Sequence, residues 1–180
     1  MLEEVGRRDS KHDERGWTER SEPLLHRRID LLNQILADSM SLRDLYKKHY
    51  WQAPAGTLHQ LRLLFDKHYN EQVGLIDDIA ERIQLLGGTS IATAADVAEI
   101  TAIPRPPEGR EEAPVQISRL IEAHHMVLKE VHIAAKLAAQ AGDEGTRDLL
   151  VRQVIKTHQL QVWFLSEREV GLPRPKASGE

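Results

Sequence analysis

The sequence contains no cysteine. Disulfides, thiolate metal sites and cysteine nucleophiles are therefore excluded, and any metal must be held by histidine or by oxygen ligands. Aromatic residues are scarce, with three tryptophans, three tyrosines and two phenylalanines, so the core must be built from Leu, Ile, Val and Ala. No apolar run approaches the length of a membrane span, and the first thirty residues mix both signs of charge without a signal-peptide stretch. A cytoplasmic location with no membrane partner is expected. A positive surplus is missing too: the formal net charge is -4, which argues against a surface built to hold nucleic acid. Neither strand-like alternation of useful length nor an internal repeat occurs.

What is present is helical periodicity over a chain of 180 residues, a normal length for one domain. Residues 1–22 are densely charged and carry almost no apolar side chain spaced for burial, so they are expected to form a mobile arm. Ser21-Glu22-Pro23 resembles a helix start, and Leu25, Ile29, Leu32, Leu36 and Met40 then step by three and four to about Tyr50. A connector, Gln52 to Gly56, separates this from a second helix whose stripe runs from Leu58 through Phe65, His68, Gln72 and Ile79 to Leu86. Gly87-Gly88 ends it. The stretch from Thr89 to Pro114 is rich in proline, which forbids a long helix, with a short helical candidate at Ala94 to Ile100. Helical stripes return at about 115–141 and from Asp143 to about Val170, followed by a tail at 171–180. Four long helices with a crossover between the second and third that is too long for a hairpin define an all-α, ferritin-like four-helix bundle over residues 23–170.

One face of the second helix is polar. With Arg62 at zero and 100° per residue, Asp66 lies near 40°, His59 and Asp77 near 60° and Glu81 near 100°. Asp66 and Asp77 are nevertheless about 16 Å apart along the axis, far beyond the reach of two ligands on one ion. One chain cannot close a metal site from them. Two copies packed antiparallel about a twofold axis could set the Asp66 end of one helix against the Asp77–Glu81 end of the other; the plainer alternative is a solvated face of ordinary charges.

The run YKKHYWQAPAGTLHQLRLLFDKHYNEQVGLIDDIAERIQLLGG, residues 46–88, resembles the Dps family of mini-ferritins, as do the PRPPEGREEAP, LIEAHH and LQVWFLSE segments. The resemblance covers about residues 24–170. It implies a dodecameric, hollow homo-oligomer that binds Fe(II) at twofold subunit interfaces, oxidises it with hydrogen peroxide and stores ferric iron against oxidative stress. By position, Asp66, Asp77 and Glu81 match the family's ligands and catalytic residues. Its two ferroxidase histidines are replaced, by Tyr50 before Trp51 and by Arg62 four residues before Asp66.

An arginine is cationic and only donates hydrogen bonds, so it cannot ligate Fe(II). Two outcomes are open. Either Arg62 pairs with Asp66 or with a partner's carboxylates and leaves a structural interface, or it swings aside while His59 or His49 supplies nitrogen to an altered site that holds iron, or zinc as a substitute. Weakened iron oxidation is the expectation, and a degenerate storage shell is the alternative. Resemblance also places Asp143, Glu144 and Asp148 at a pore, although acids at a helix start are favoured by the dipole alone. Glu122-x-x-His125 has the spacing of an intra-bundle iron ligand pair but lacks a second copy, since the last helix offers only Ile155-Lys-Thr-His158. It reads as a polar face, as do His125 and His132. Trp51 and Trp163 read as packing residues. Twelve copies would carry about -48, so DNA binding is expected to be weak or absent, with a DNA-binding nucleoid shell as the alternative.

Overall fold

The computed structural model describes residues 14–53 and 58–171, with side chains described from 23 to 168 of these. Residues 1–13 of the expected arm, connector residues 54–57 and the tail 172–180 lie outside the described residues. Three long helices come first: α1 (Glu14–Gln52), α2 (His59–Leu85) and, after the short α3 (Ala94–Ile100), α4 (Ala113–Gln140). The last helical rod is α5 (Glu144–Asp148), a π-helical segment at Leu149–Ile155 and α6 (Lys156–Gly171). Two boundaries differ from expectation. The first helix begins at Glu14 rather than at Ser21, with Pro23 inside it, where it removes one main-chain hydrogen bond and crowds the carbonyl four residues before it. The last rod is interrupted by wide turns, which no 3.6-residue stripe announces.

Helices α2 and α4 stop at glycine for a stated backbone reason. Gly87 (φ 77°) and Gly142 (φ 68°) take the left-handed conformation. The N–H groups of Gly88 and Asp143 then reach back to the carbonyls of Ile83 (3.0 Å) and Ala138 (2.9 Å), completing two Schellman motifs.

Topology follows from the polar ties. Asp143 Oδ2 accepts from Arg28 of α1 and its Oδ1 from Arg82 at the end of α2, both at 2.6 Å. The Arg28 region of α1, the end of α2 and the end of α4 therefore share one end of the bundle. Gln116 Nε2 lies 3.3 Å from Gln52 Oε1, which sets the start of α4 beside the end of α1 at the other. The crossover joins those ends by running along α1. Asn33 donates to the Thr89 carbonyl and accepts from the Ile91 N–H, Asp38 accepts from Thr101 Oγ1 and the Ala102 N–H, Lys48 donates to the Pro107 carbonyl and Gln52 to that of Gly109. From Asn33 to Gln52 is about 28 Å of helix, which explains why so long a link is needed. The core between the helices is aliphatic, with Leu32, Ile35, Leu36, Leu42, Phe65, Ile79, Ile83, Ile117, Leu120, Leu150 and Leu165 fully buried.

Candidate metal site on the outer face of α2

The stripe that buries Leu61, Phe65, His68, Gln72, Leu75, Ile79 and Ile83 turns the opposite side of α2 outward. Asp77 and Glu81 stand exposed there, without ion-pair partners among the described residues. Asp66 is partly covered, its side chain 43% exposed, and takes Lys47 of α1 at 3.4 Å.

The two positions where histidines were expected touch each other. The Arg62 guanidinium lies 4.3 Å from the centre of the Tyr50 ring, and Lys47 Nζ lies 4.8 Å from the same ring and 4.5 Å from that of Tyr69. Both cations are held by aromatic faces. Within the chain Arg62 stacks on Tyr50, and it is Lys47 that meets the Asp66 carboxylate. A single chain thus places Lys47 against Asp66 and Arg62 one turn before it on the same helix. In a water-like dielectric each cation about 5 Å from a divalent ion costs it roughly 1–2 kcal/mol, enough to weaken binding about tenfold.

The proposed nitrogen donors are far apart in environment. His59 is exposed as the first residue of α2. His49 is fully buried against Phe65, and burial pushes its ring down to about 4, where Glu111 opposes the shift only in part. His49 belongs to the inner face of α1, whereas Asp66 belongs to the outer face of α2. Among the described residues no group of three or more His, Asp or Glu side chains is close enough to hold a metal ion.

The three acids read as pore residues divide. Asp143 is a clamp: its side chain is 7% exposed, caps α5 through the Thr146 N–H and Oγ1, and neutralises Arg28 and Arg82. Burial pushes its carboxyl up, but the Thr146 bonds and Arg82 more than offset this and hold it below the usual range. Glu144 and Asp148 stay exposed and pair locally with Arg147 and Arg152. Glu122, His125 and His132 are exposed, consistent with a polar face. Trp51 (69% exposed) and Trp163 (55%) do not pack in the subunit core; each sits where its helix faces outward.

Sequence reasoning missed the neighbour of His125. His124 is buried and hydrogen-bonded on both ring nitrogens, to Tyr46 Oη (2.6 Å) and to His158 Nδ1 (2.9 Å). The available signal was its register with Leu120, Val127 and Val131 on the buried face of α4.

A bundle of four antiparallel-paired helices with a crossover strapped along the first, and acids on the outer face of the second, defines a ferritin-like protein. The ferritin-like domain family matches residues 29–169. The fold is shared with DpsC from Streptomyces coelicolor, which is 46% identical with a TM-score of 0.79 over 86% of this chain and 89% of that one. It is shared also with Dps from Thermosynechococcus elongatus, 30% identical with a TM-score of 0.77 over 87% and 98% of the respective chains. DNA protection during starvation protein 2 of Bacillus anthracis is 31% identical over 68% of this chain and 84% of its own. The chain belongs to the Dps family of ferritin-like proteins.

Proposed function

We propose that the chain assembles into a hollow homo-oligomeric shell of twelve subunits that sequesters iron, taking Fe(II) at sites shared by two subunits and oxidising it slowly with hydrogen peroxide. The observation that supports this reading is the outward presentation of Asp66, Asp77 and Glu81 along one face of α2, with Asp77 and Glu81 unpaired. Carboxylates in two half-sites need a symmetry mate to converge, and exposed Trp51 and Leu63 supply apolar surface for such contact. The site is weakened because Tyr50 and Arg62 stand where two neutral nitrogen ligands would serve, and because Lys47 already takes Asp66. Chemistry at a pair of irons needs little beyond their proximity, since peroxide then takes two electrons at once and releases no hydroxyl radical. Protection of DNA, which the relatives' names carry, would follow from removing Fe(II) and peroxide, because a shell with -4 on each subunit does not attract a duplex.

The test is anaerobic Fe(II) titration of the assembled protein followed by peroxide. The natural protein is expected to bind weakly, Glu81→Ala to abolish binding, and Tyr50→His with Arg62→His to tighten it at least about tenfold. No gain in the double variant would overturn the assignment of the weakness to these two residues. Unchanged iron uptake in Glu81→Ala would overturn the site.

A further inference from the structure

Arg62 lies on the outer side of α2 with its guanidinium against the Tyr50 ring, 4.3 Å from the ring centre. A stacked guanidinium keeps the N–H groups along its edge for other partners. Among the described residues no carboxylate meets that edge. Asp66, one turn further along the helix, takes Lys47 instead, at 3.4 Å. The same side of α2 carries the complement, since Asp77 and Glu81 are exposed and without ion-pair partners among the described residues. They cannot reach Arg62 within one chain: 15 and 19 residues along a straight helix put them about 22 and 28 Å from it. A cation and two acids so far apart on one rod can pair only with a second rod laid against it in the opposite sense.

Spacing supplies the register. Arg62 and Glu81 are equidistant from the point between Glu71 and Gln72, and so are Asp66 and Asp77. A twofold axis crossing α2 at that point sets Arg62 opposite Glu81 of the partner subunit. It sets Asp66, with its Lys47, opposite Asp77 of the partner subunit, and symmetry repeats both pairs. Tyr69 and Gly74 are equidistant from the same point. Gly74 stands exposed in mid-helix, where glycine is unfavourable relative to alanine. A Cβ there would meet nothing within 4 Å, so the chain itself has no need of glycine at this position, whereas close approach of a second helix does. Exposed Leu63 and Val73 add apolar surface along the same helix. The charges close as well: Lys47 and Arg62 against Asp66 and the partner's Asp77 and Glu81 leave one negative charge on each half of the interface. A neutral side chain at position 62 would leave two.

We propose that the outer face of α2 is a twofold interface with a second copy of this chain, closed without metal by an ion pair between Arg62 and Glu81 of the partner subunit on each side of the axis. Tyr50 holds the guanidinium in position before the subunits meet, so little side-chain freedom is lost when the pair forms. The planar guanidinium suits a carboxylate that arrives with both oxygens free. This pairing rests on the reading above only for its antiparallel pair of subunits. The guanidinium takes the carboxylate which that reading gives to Fe(II), and the two compete for it.

The experiment uses the full chain freed of metal with a chelator, and follows assembly by sedimentation across a dilution series at about 50 and about 500 mM sodium chloride, either side of physiological screening. Arg62→Glu and Glu81→Arg each set like charges against one another on both sides of the axis. Either should raise the protein concentration at which the assembly dissociates by at least about tenfold. The double variant Arg62→Glu/Glu81→Arg restores opposite charges in the same register and should recover most of that loss. High salt should narrow the gap between the single variants and the natural protein, and circular dichroism checks that every variant is helical. Single variants that assemble like the natural protein overturn the proposal, as does a double variant that assembles no better than its singles. Metal-free natural protein that stays as single subunits and assembles only when Fe(II) or Zn(II) is added also overturns it, and leaves the iron reading standing. Salt-sensitive, metal-free assembly with rescue by the double variant, but with no uptake of Fe(II), upholds the ion pair and counts against the iron reading.

Discussion

Asp143 ties three parts of the fold together through one carboxylate. It sits after the Schellman end of α4, caps α5 and draws Arg28 and Arg82 onto one carboxylate, which fastens α1, α2 and the last rod at one end. The Arg82 that follows Glu81 in the α2 motif is thereby explained: its guanidinium closes the bundle and leaves Glu81 free to face outward. Gly145 belongs to the same arrangement, since a Cβ there would lie 2.9 Å from Arg82 Nη1. Asp143→Ala removes a cap and leaves two partly buried guanidinium groups without their acceptor, and is expected to cost about 2–4 kcal/mol. Urea unfolding of the variant measures this, and a midpoint within error of the natural protein would refute the clamp. By contrast, Glu144→Ala, at an exposed local pair, should change stability by less than about 0.5 kcal/mol.

At the scale of the element, the π-helical segment Leu149–Ile155 sets the rotational relation between α5 and α6. Upstream, Thr146 must face Arg82; downstream, His158 must face His124 and Gln161 must face Gln72. An extra residue taken up in wide turns meets both demands in one rod. Inserting one alanine after exposed Val151 would exceed what the wide turns take up and rotate one half by about 100° against the other. The insertion is expected to destabilise by about 3 kcal/mol or more, against less than about 0.5 kcal/mol for Val151→Ala. Denaturant midpoints compare the two, and an unperturbed insertion variant would show that the rotational relation has no such role. The stripe of α2 was legible residue by residue, because eight buried positions on one helix repeat at three and four. The wide turns were not, because the residues that fill them are as apolar and as helix-compatible as any others.

For the whole molecule, four buried histidines make acid the natural denaturant. An exposed histidine in the unfolded chain titrates near 6.5, whereas burial holds His49 and His68 at about 4 and His158 at about 3 in the fold. The folded state therefore binds fewer protons below neutrality. The stability these groups retain above pH 6.5 is lost as pH falls from 6.5 towards 4, by up to about 3 kcal/mol for each. Urea midpoints measured at half-unit steps should fall steeply across that window, and His49→Leu should flatten the slope by about one proton. A flat profile down to pH 4.5 would contradict neutral, buried histidines. Any assembly coupled to the fold would come apart over the same range.

The sequence by itself determined the four helices, their glycine ends, the long crossover and the outward face of α2 with its three acids. Each of these is a matter of period, backbone freedom or spacing along one rod, and such properties are local. Tertiary structure alone decided that Arg62 stacks on Tyr50 while Lys47 takes Asp66, that Asp143 is a clamp, and that His124 rather than its neighbour turns inward to Tyr46. Those outcomes depend on which groups from other helices arrive within hydrogen-bonding or stacking distance. Pairings across 19 to 115 residues leave no periodic trace in the chain that makes them.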